Sequence, residues 1–130
     1  MALIIYTALM LGLHLTSWKL VAEWQGAEDT WVKRWLPAMW VVRVEAFYWL
    51  LALAAWPLWS SLMEVLVAAF ATIHLVLWIG MEWKRSHDRS LPGDGFFSHK
   101  LTLVVTTFDF VEAFALIVLG YSAMTFVLHT

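Results

Sequence analysis

VVRVEAFYWL, residues 41–50, sets a carboxylate, Glu45, inside an apolar run, two positions after Arg43. The letters VEAF return at 111–114 and place Glu112 inside the last apolar run of the chain. A charge is costly at such a place, and two in the same local sequence call for a common explanation.

The surroundings of both motifs are those of a bilayer protein. Of 130 residues, 62% are hydrophobic and only 14% charged, and the mean hydropathy is +0.75. A water-soluble domain of this length carries more polar surface. Ten tryptophans suit the headgroup boundary, where an amphipathic indole finds both phases. The chain reads as one integral membrane domain over residues 1–130. Its net charge of −2 gives no reason to expect a nucleic-acid partner. With no cysteine, disulfides, thiolate ligands and cysteine nucleophiles are excluded. The opening MALIIYTALMLGLHL lacks a basic leader and a small-residue cleavage site, so it reads as a retained first helix.

Four apolar segments, at 2–24, 37–59, 61–83 and 101–128, each match the roughly 20 residues a crossing helix needs. Pro37 suits a first helical turn, where its missing N–H costs little. WPLWSS at 56–61 reads as a tight turn, and RSLPGDG at 89–95 as a loop. Lys19, Lys33 and Arg34 flank the first connection; Lys84, Arg85, Arg89 and Lys100 flank the third. The positive-inside rule then places loops 25–36 and 84–100 in the cytoplasm and both termini outside. A plasma (inner) membrane is the expected location.

The VEAF pair belongs to a larger recurrence. LHLTSW carries His14 and Trp18, and IHLVLW carries His74 and Trp78, with the same spacing of four. Each run continues to a Glu-Trp pair, Glu23-Trp24 and Glu82-Trp83, with the spacing shifted by one residue. Glu45 and Glu112 each follow a lysine, Lys33 or Lys100, by twelve positions. The order His, hairpin, Glu thus occurs twice, which reads as tandem duplication of a helical hairpin, with units near 1–60 and 61–130. The predicted fold is an all-α membrane protein: a four-transmembrane-helix bundle of two tandem hairpins. A pseudo-twofold axis along the membrane normal would relate them.

Depth sharpens the pattern. At about 1.5 Å per residue, His14, Glu45, His74 and Glu112 all fall within roughly 15 Å of the cytoplasmic boundary. Each helix delivers one ionisable group to one level, and such groups usually face the bundle interior. Three contents are open. A metal ion, iron, zinc or manganese, would take His14, His74, Glu45 and Glu112 as ligands. Asp109, one turn before Glu112, would be a further ligand or an outer acceptor that orients a histidine. A b-type heme would use His14 and His74 as axial ligands and leave the glutamates unexplained. With no cofactor, each His would pair with the Glu of its own hairpin to cement packing or relay protons. Arg43 points away from Glu45 at about 100° per residue. It would snorkel, balance Asp109, or meet a lipid or quinone headgroup. His87, Asp88 and His99 read as a solvated loop rather than a second metal site.

No phosphate cradle, nucleophile elbow or Walker motif is present. The expected function is redox or electron transfer, or membrane-embedded oxidation of a lipid or quinone, at a buried metal or heme. The alternative is a cofactor-free accessory subunit of a larger membrane complex or a homo-oligomer, or a proton-coupled carrier. Whether the chain is an enzyme is left open by its sequence.

Overall fold

The computed structural model of the chain describes residues 2–26, 29–87 and 99–129. Among these there are five α-helices and no strand: α1 (Ala2–Gln25), α2 (Trp31–Trp35), α3 (Ala38–Ala54), α4 (Ser61–His87) and α5 (His99–His129). A 3₁₀ turn, Trp56–Leu58, joins α3 to α4. The loop at 89–95 and Asp88 lie outside the described residues.

Three helices are long and apolar enough to cross a membrane, over Leu3–Gln25, Ser61–His87 and Val104–Phe126. Their outer faces carry large apolar side chains in the open, such as Leu9, Leu62, Val65, Val76 and Phe114, each about 60% exposed or more. A water-soluble monomer rarely leaves so much contiguous apolar surface bare. The chain has the character of a membrane protein.

The expected second span, 37–59, is the one that differs. Its helix α3 has 17 residues, or about 26 Å at 1.5 Å per residue, short of a hydrocarbon core of about 30 Å. Pro57 accounts for the early end. It has no N–H for the Leu53 carbonyl, and it disfavours helical backbone at Trp56. Trp59 then folds back, its indole N–H donating to the Ala52 carbonyl at 2.8 Å. Pro37 stands at the N-cap, one position before the helix proper, and its carbonyl accepts from the backbone N–H of Trp40.

The stretch before Pro37 adds the short helix α2. The Thr30 hydroxyl caps it by accepting from the Lys33 backbone N–H at 3.4 Å, as small hydroxyl residues do at helix starts. Arg34 reaches back to Asp29 at 2.9 Å, and the Lys33 ammonium meets the Gly26 carbonyl. The Trp24 indole donates to the Leu36 carbonyl at 2.9 Å and ties α1 to this corner. Trp31, Trp35, Trp40 and Trp83 stay exposed at this end of the molecule, as interfacial indoles do.

Helix α1 packs along α5, and α3 along α4; α1 also touches α3, and α4 meets α5 over a small area. Gly120 permits the approach of α5 to α1, because a Cβ there would stand 3.3 Å from Thr7 Cγ2. Two apolar clusters fill the interior. One gathers Met10, Tyr48, Trp49, Phe70, Leu116 and Leu119; the other gathers Val21, Trp24, Val41, Val42 and Met81 at the α2 end. Along every long helix the ionisable residue falls between the two clusters: His14 after Met10, Glu45 before Tyr48, His74 after Phe70, Glu112 before Leu116. The interior is thus a polar layer held between two apolar ones.

Candidate metal centre

The polar layer is built from backbone outward. His14 Nδ1 stands 2.8 Å from the Met10 carbonyl, and His74 Nδ1 stands 2.8 Å from the Phe70 carbonyl. Both partners lie one helical turn back in the same helix, where a side chain leaning towards the N-terminus meets the preceding turn. A carbonyl only accepts, so Nδ1 carries the proton in both rings. Each ring then presents Nε2 to the interior, held in orientation by its own helix. The two histidines solve the same local problem in the same way.

Glu112 receives them. Its Oε1 is 3.2 Å from His14 Nε2, and its Oε2 is 3.3 Å from His74 Nε2. The carboxylate is wholly buried, as are both rings apart from about 2% of their residue surface. The Trp49 indole N–H donates to Glu112 Oε1 at 2.6 Å and closes the layer on that side. The Trp49 ring stacks on Phe70 at 5.0 Å and on His74 at 6.0 Å between centroids.

Two atoms of the cluster, His14 Nε2 and Glu112 Oε2, are buried without a hydrogen-bond partner. Proximity without hydrogen-bond alignment is informative, since an orphaned buried polar atom costs free energy. Donor atoms that share one ion aim at the ion and not at each other. Two ligands about 2.1 Å from one tetrahedral ion stand roughly 3.4 Å apart, close to the distances found here. One ligand atom from each of His14, His74 and Glu112 can be chosen so that all lie within 4.8 Å of one another. The group could hold a metal ion.

Glu45 completes the layer from the other side at longer range. Its Oε1 is 4.0 Å from His14 Nε2 and its Oε2 is 3.9 Å from His74 Nε2. All four groups expected from the sequence are therefore brought together, but each glutamate faces both histidines. Each histidine thus meets the glutamate of its own hairpin, His74–Glu112 at 3.3 Å and His14–Glu45 at 4.0 Å, and that of the other hairpin as well.

Of the two outer residues, Asp109 lines a cavity together with Glu45 and His74, and Arg43 faces elsewhere. Asp109 hydrogen-bonds the Ser17 side chain, and the imidazoles take their orientation from backbone carbonyls instead. Arg43 pairs with Glu82, its Nε donating at 2.7 Å, and lies over the Trp40 ring at 5.5 Å. Trp78 Nε1 donates to the same Glu82 oxygen at 3.2 Å. Arg43 thus finds its charge balance across α3 and α4. His87 stacks against Trp83 at 4.5 Å on the exposed end of α4; Asp88 and the side chain of His99 lie outside the description.

Beside the layer lies a cavity of about 270 Å³, lined by all four long helices. Glu45, His74, Ser17 and Asp109 supply its polar end, and apolar side chains the remainder. The cavity runs from the layer towards the α2 end of the molecule, from Glu45 past Val41 and from Asp109 past Val104. It touches Glu45 but not Glu112.

The chain matches no protein-family model, no curated protein and no solved structure. Its chemistry rests on the residues themselves. Trp49 and Ser17 are the partners that spacing alone does not reveal, because each acts on a residue of another helix. The Arg43–Glu82 contact had a local sign: Trp78 and Glu82 are one turn apart and share a helix face.

Proposed function

We propose that the protein is a multi-pass membrane metalloprotein with a redox role at an intramembrane ion. The ion would be held by Nε2 of His14 and His74 and by Glu112, with Glu45 as a second, more distant carboxylate. The observation that carries this reading is the convergence of buried Nε2 and carboxylate atoms at ligand-sharing distance, two of them without hydrogen-bond partners. Two imidazoles with one carboxylate, and room for further ligands, suit iron, manganese or zinc. Among these, iron and manganese supply redox chemistry.

The same geometry argues against a heme between the two histidines. A porphyrin would have to pass between the Nε2 atoms, where the Glu112 carboxylate stands within 3.3 Å of both. The Trp49 ring beside His74 narrows the space further.

The architecture proposed around the ion has α3 as a fourth crossing, extended by its 3₁₀ turn, and two hairpins related by a twofold axis along the membrane normal. Exchanging the hairpins turns the α1–α5 contact into α4–α3, the two most extensive helix contacts of the molecule. It also exchanges the two histidines, whose Nδ1 contacts are alike. The lysine and arginine distribution favours loops 25–36 and 84–100 in the cytoplasm.

Metal analysis of detergent-purified protein, with an absorption spectrum, tests the proposal. The expected result is one iron or manganese per chain, no Soret band, and loss of metal in His14→Ala and His74→Ala. Stoichiometric zinc would keep the site and remove the redox role. Metal-free protein of undiminished stability would overturn the site and favour a packing role within a larger membrane assembly.

A further inference from the structure

The cavity beside the polar layer has a function of its own to explain. Two of its lining residues, Ile73 of α4 and Val104 of α5, are exposed, 43% and 64%, and mark where it reaches the surface. These helices meet much less extensively than α1 with α5 or α3 with α4. Both residues lie in candidate spans, so with these helices in a bilayer the opening would face lipid. The walls, among them Leu20, Trp24, Val42, Leu77 and Phe108, are apolar or aromatic. The polar members of the lining are different: Glu45, Asp109 and Ser17, with His74, lie towards the polar layer.

We propose that this cavity is a binding site for a membrane-soluble molecule whose polar end is a hydroxyl group, entering sideways between α4 and α5. The apolar part would lie along Leu77, Val105 and Phe108, and the hydroxyl would reach Glu45 and Asp109. This goes beyond the metal reading and stands without it. At about 270 Å³, the space is just below the usual 300–1,000 Å³ of small-molecule pockets. It accommodates a substituted ring with the start of a tail, while the remainder of a longer tail stays in the bilayer.

The inner end selects the polar group. Asp109 shares a hydrogen bond with Ser17, and its remaining oxygen capacity, like that of Glu45, requires a partner in an apolar setting. A carboxyl group there is an acceptor when ionised and also a donor when protonated. A hydroxyl donates and accepts, so it satisfies either state. An ether only accepts, and an ammonium only donates.

Thermal unfolding of the purified protein with 2-decylhydroquinone, its dimethyl ether and decylamine tests the site. A ligand of the native state raises the midpoint progressively with concentration. The hydroquinone is expected to raise it at concentrations at least about tenfold below those needed for the ether, a gap of about 1.4 kcal/mol. Asp109→Asn is expected to narrow that gap, and Leu77→Trp, which fills the cavity, to abolish the shift. If Leu77→Trp does not fold, Ile73→Phe at the mouth carries the same expectation. Equal shifts from hydroquinone and ether would overturn the proposal in favour of simple apolar partition. A stronger shift from decylamine would overturn the hydroxyl class. Shifts untouched by both filling variants would place binding elsewhere. Metal content of the same samples reports on the metal reading separately, because these variants leave His14, His74 and Glu112 in place.

Discussion

Glu112 and Glu45 occupy matching places on two helices, yet the molecule treats them differently. Glu112 is sealed, with no exposed surface, an indole N–H at 2.6 Å and a histidine at each oxygen. Glu45 reaches the same histidines from 3.9–4.0 Å and keeps 13% of its side chain open, against the cavity. Trp49 makes the difference. It projects from one turn beyond Glu45, on the same helix, but serves Glu112. The position that corresponds to it after Glu112 is Leu116, which cannot donate. In the reading proposed here, one carboxylate is a fixed ligand and the other faces whatever enters.

The largest expected effect comes from neutralising the two glutamates separately. Glu112→Gln keeps the shape and an acceptor for Trp49 but removes the charge between the two Nε2 atoms. Metal content is expected to fall to background, a larger loss than the about 10–100-fold that removal of an outer partner causes. Glu45→Gln is expected to retain most of the metal and to change hydroquinone binding instead. Equal loss of metal from both variants would break the comparison, since the two carboxylates would then be equivalent ligands.

Trp49→Phe sharpens the same contrast with a smaller effect. The ring that packs on Phe70 and His74 is largely replaced, while the N–H to Glu112 is lost. Metal affinity is expected to drop about 10–100-fold, measured by competition with a chelator. Full affinity in Trp49→Phe would mean that packing, rather than the hydrogen bond, holds Glu112 in place.

Much of this layer was legible in the sequence because it depends on depth. A charged group in an apolar run announces itself, and counting residues along His14, Glu45, His74 and Glu112 suffices to level them. Rotation is harder. That each glutamate faces both histidines, and that Trp49 serves Glu112 and not its neighbour Glu45, depends on how helices turn towards each other, which periodicity within one helix does not report. Asp109 illustrates the limit: its spacing from Glu112 marked one face, but its contact with Ser17 on α1 could not be read from spacing. Helix ends were partly legible. Pro57 and the 56–61 turn were visible, but the extent to which Pro57 shortens α3, and the cap by which Thr30 starts α2, emerge only from local geometry.

The smallest expected effect tests where the two hairpins of the proposed repeat differ. In α4, His74, Trp78 and Glu82 follow at intervals of four, so Trp78 and Glu82 share a face and Glu82 meets Arg43. In α1 the corresponding series is His14, Trp18 and Glu23, and the extra residue turns Glu23 by about 100°. Trp18 and Glu23 are accordingly exposed, and position 110, the counterpart of Arg43, is Phe110. In the proposed repeat the Arg43–Glu82 pair has no counterpart in the other half, and its side chains are still about a third exposed. Pairs so placed contribute about 0.2–1 kcal/mol. Arg43→Met, which keeps much of the apolar stem over Trp40, is expected to lower stability by no more than this, with metal content unchanged. Loss of metal in Arg43→Met would instead join that pair to the polar layer and make the second half, rather than Glu112 alone, the anchor of the site.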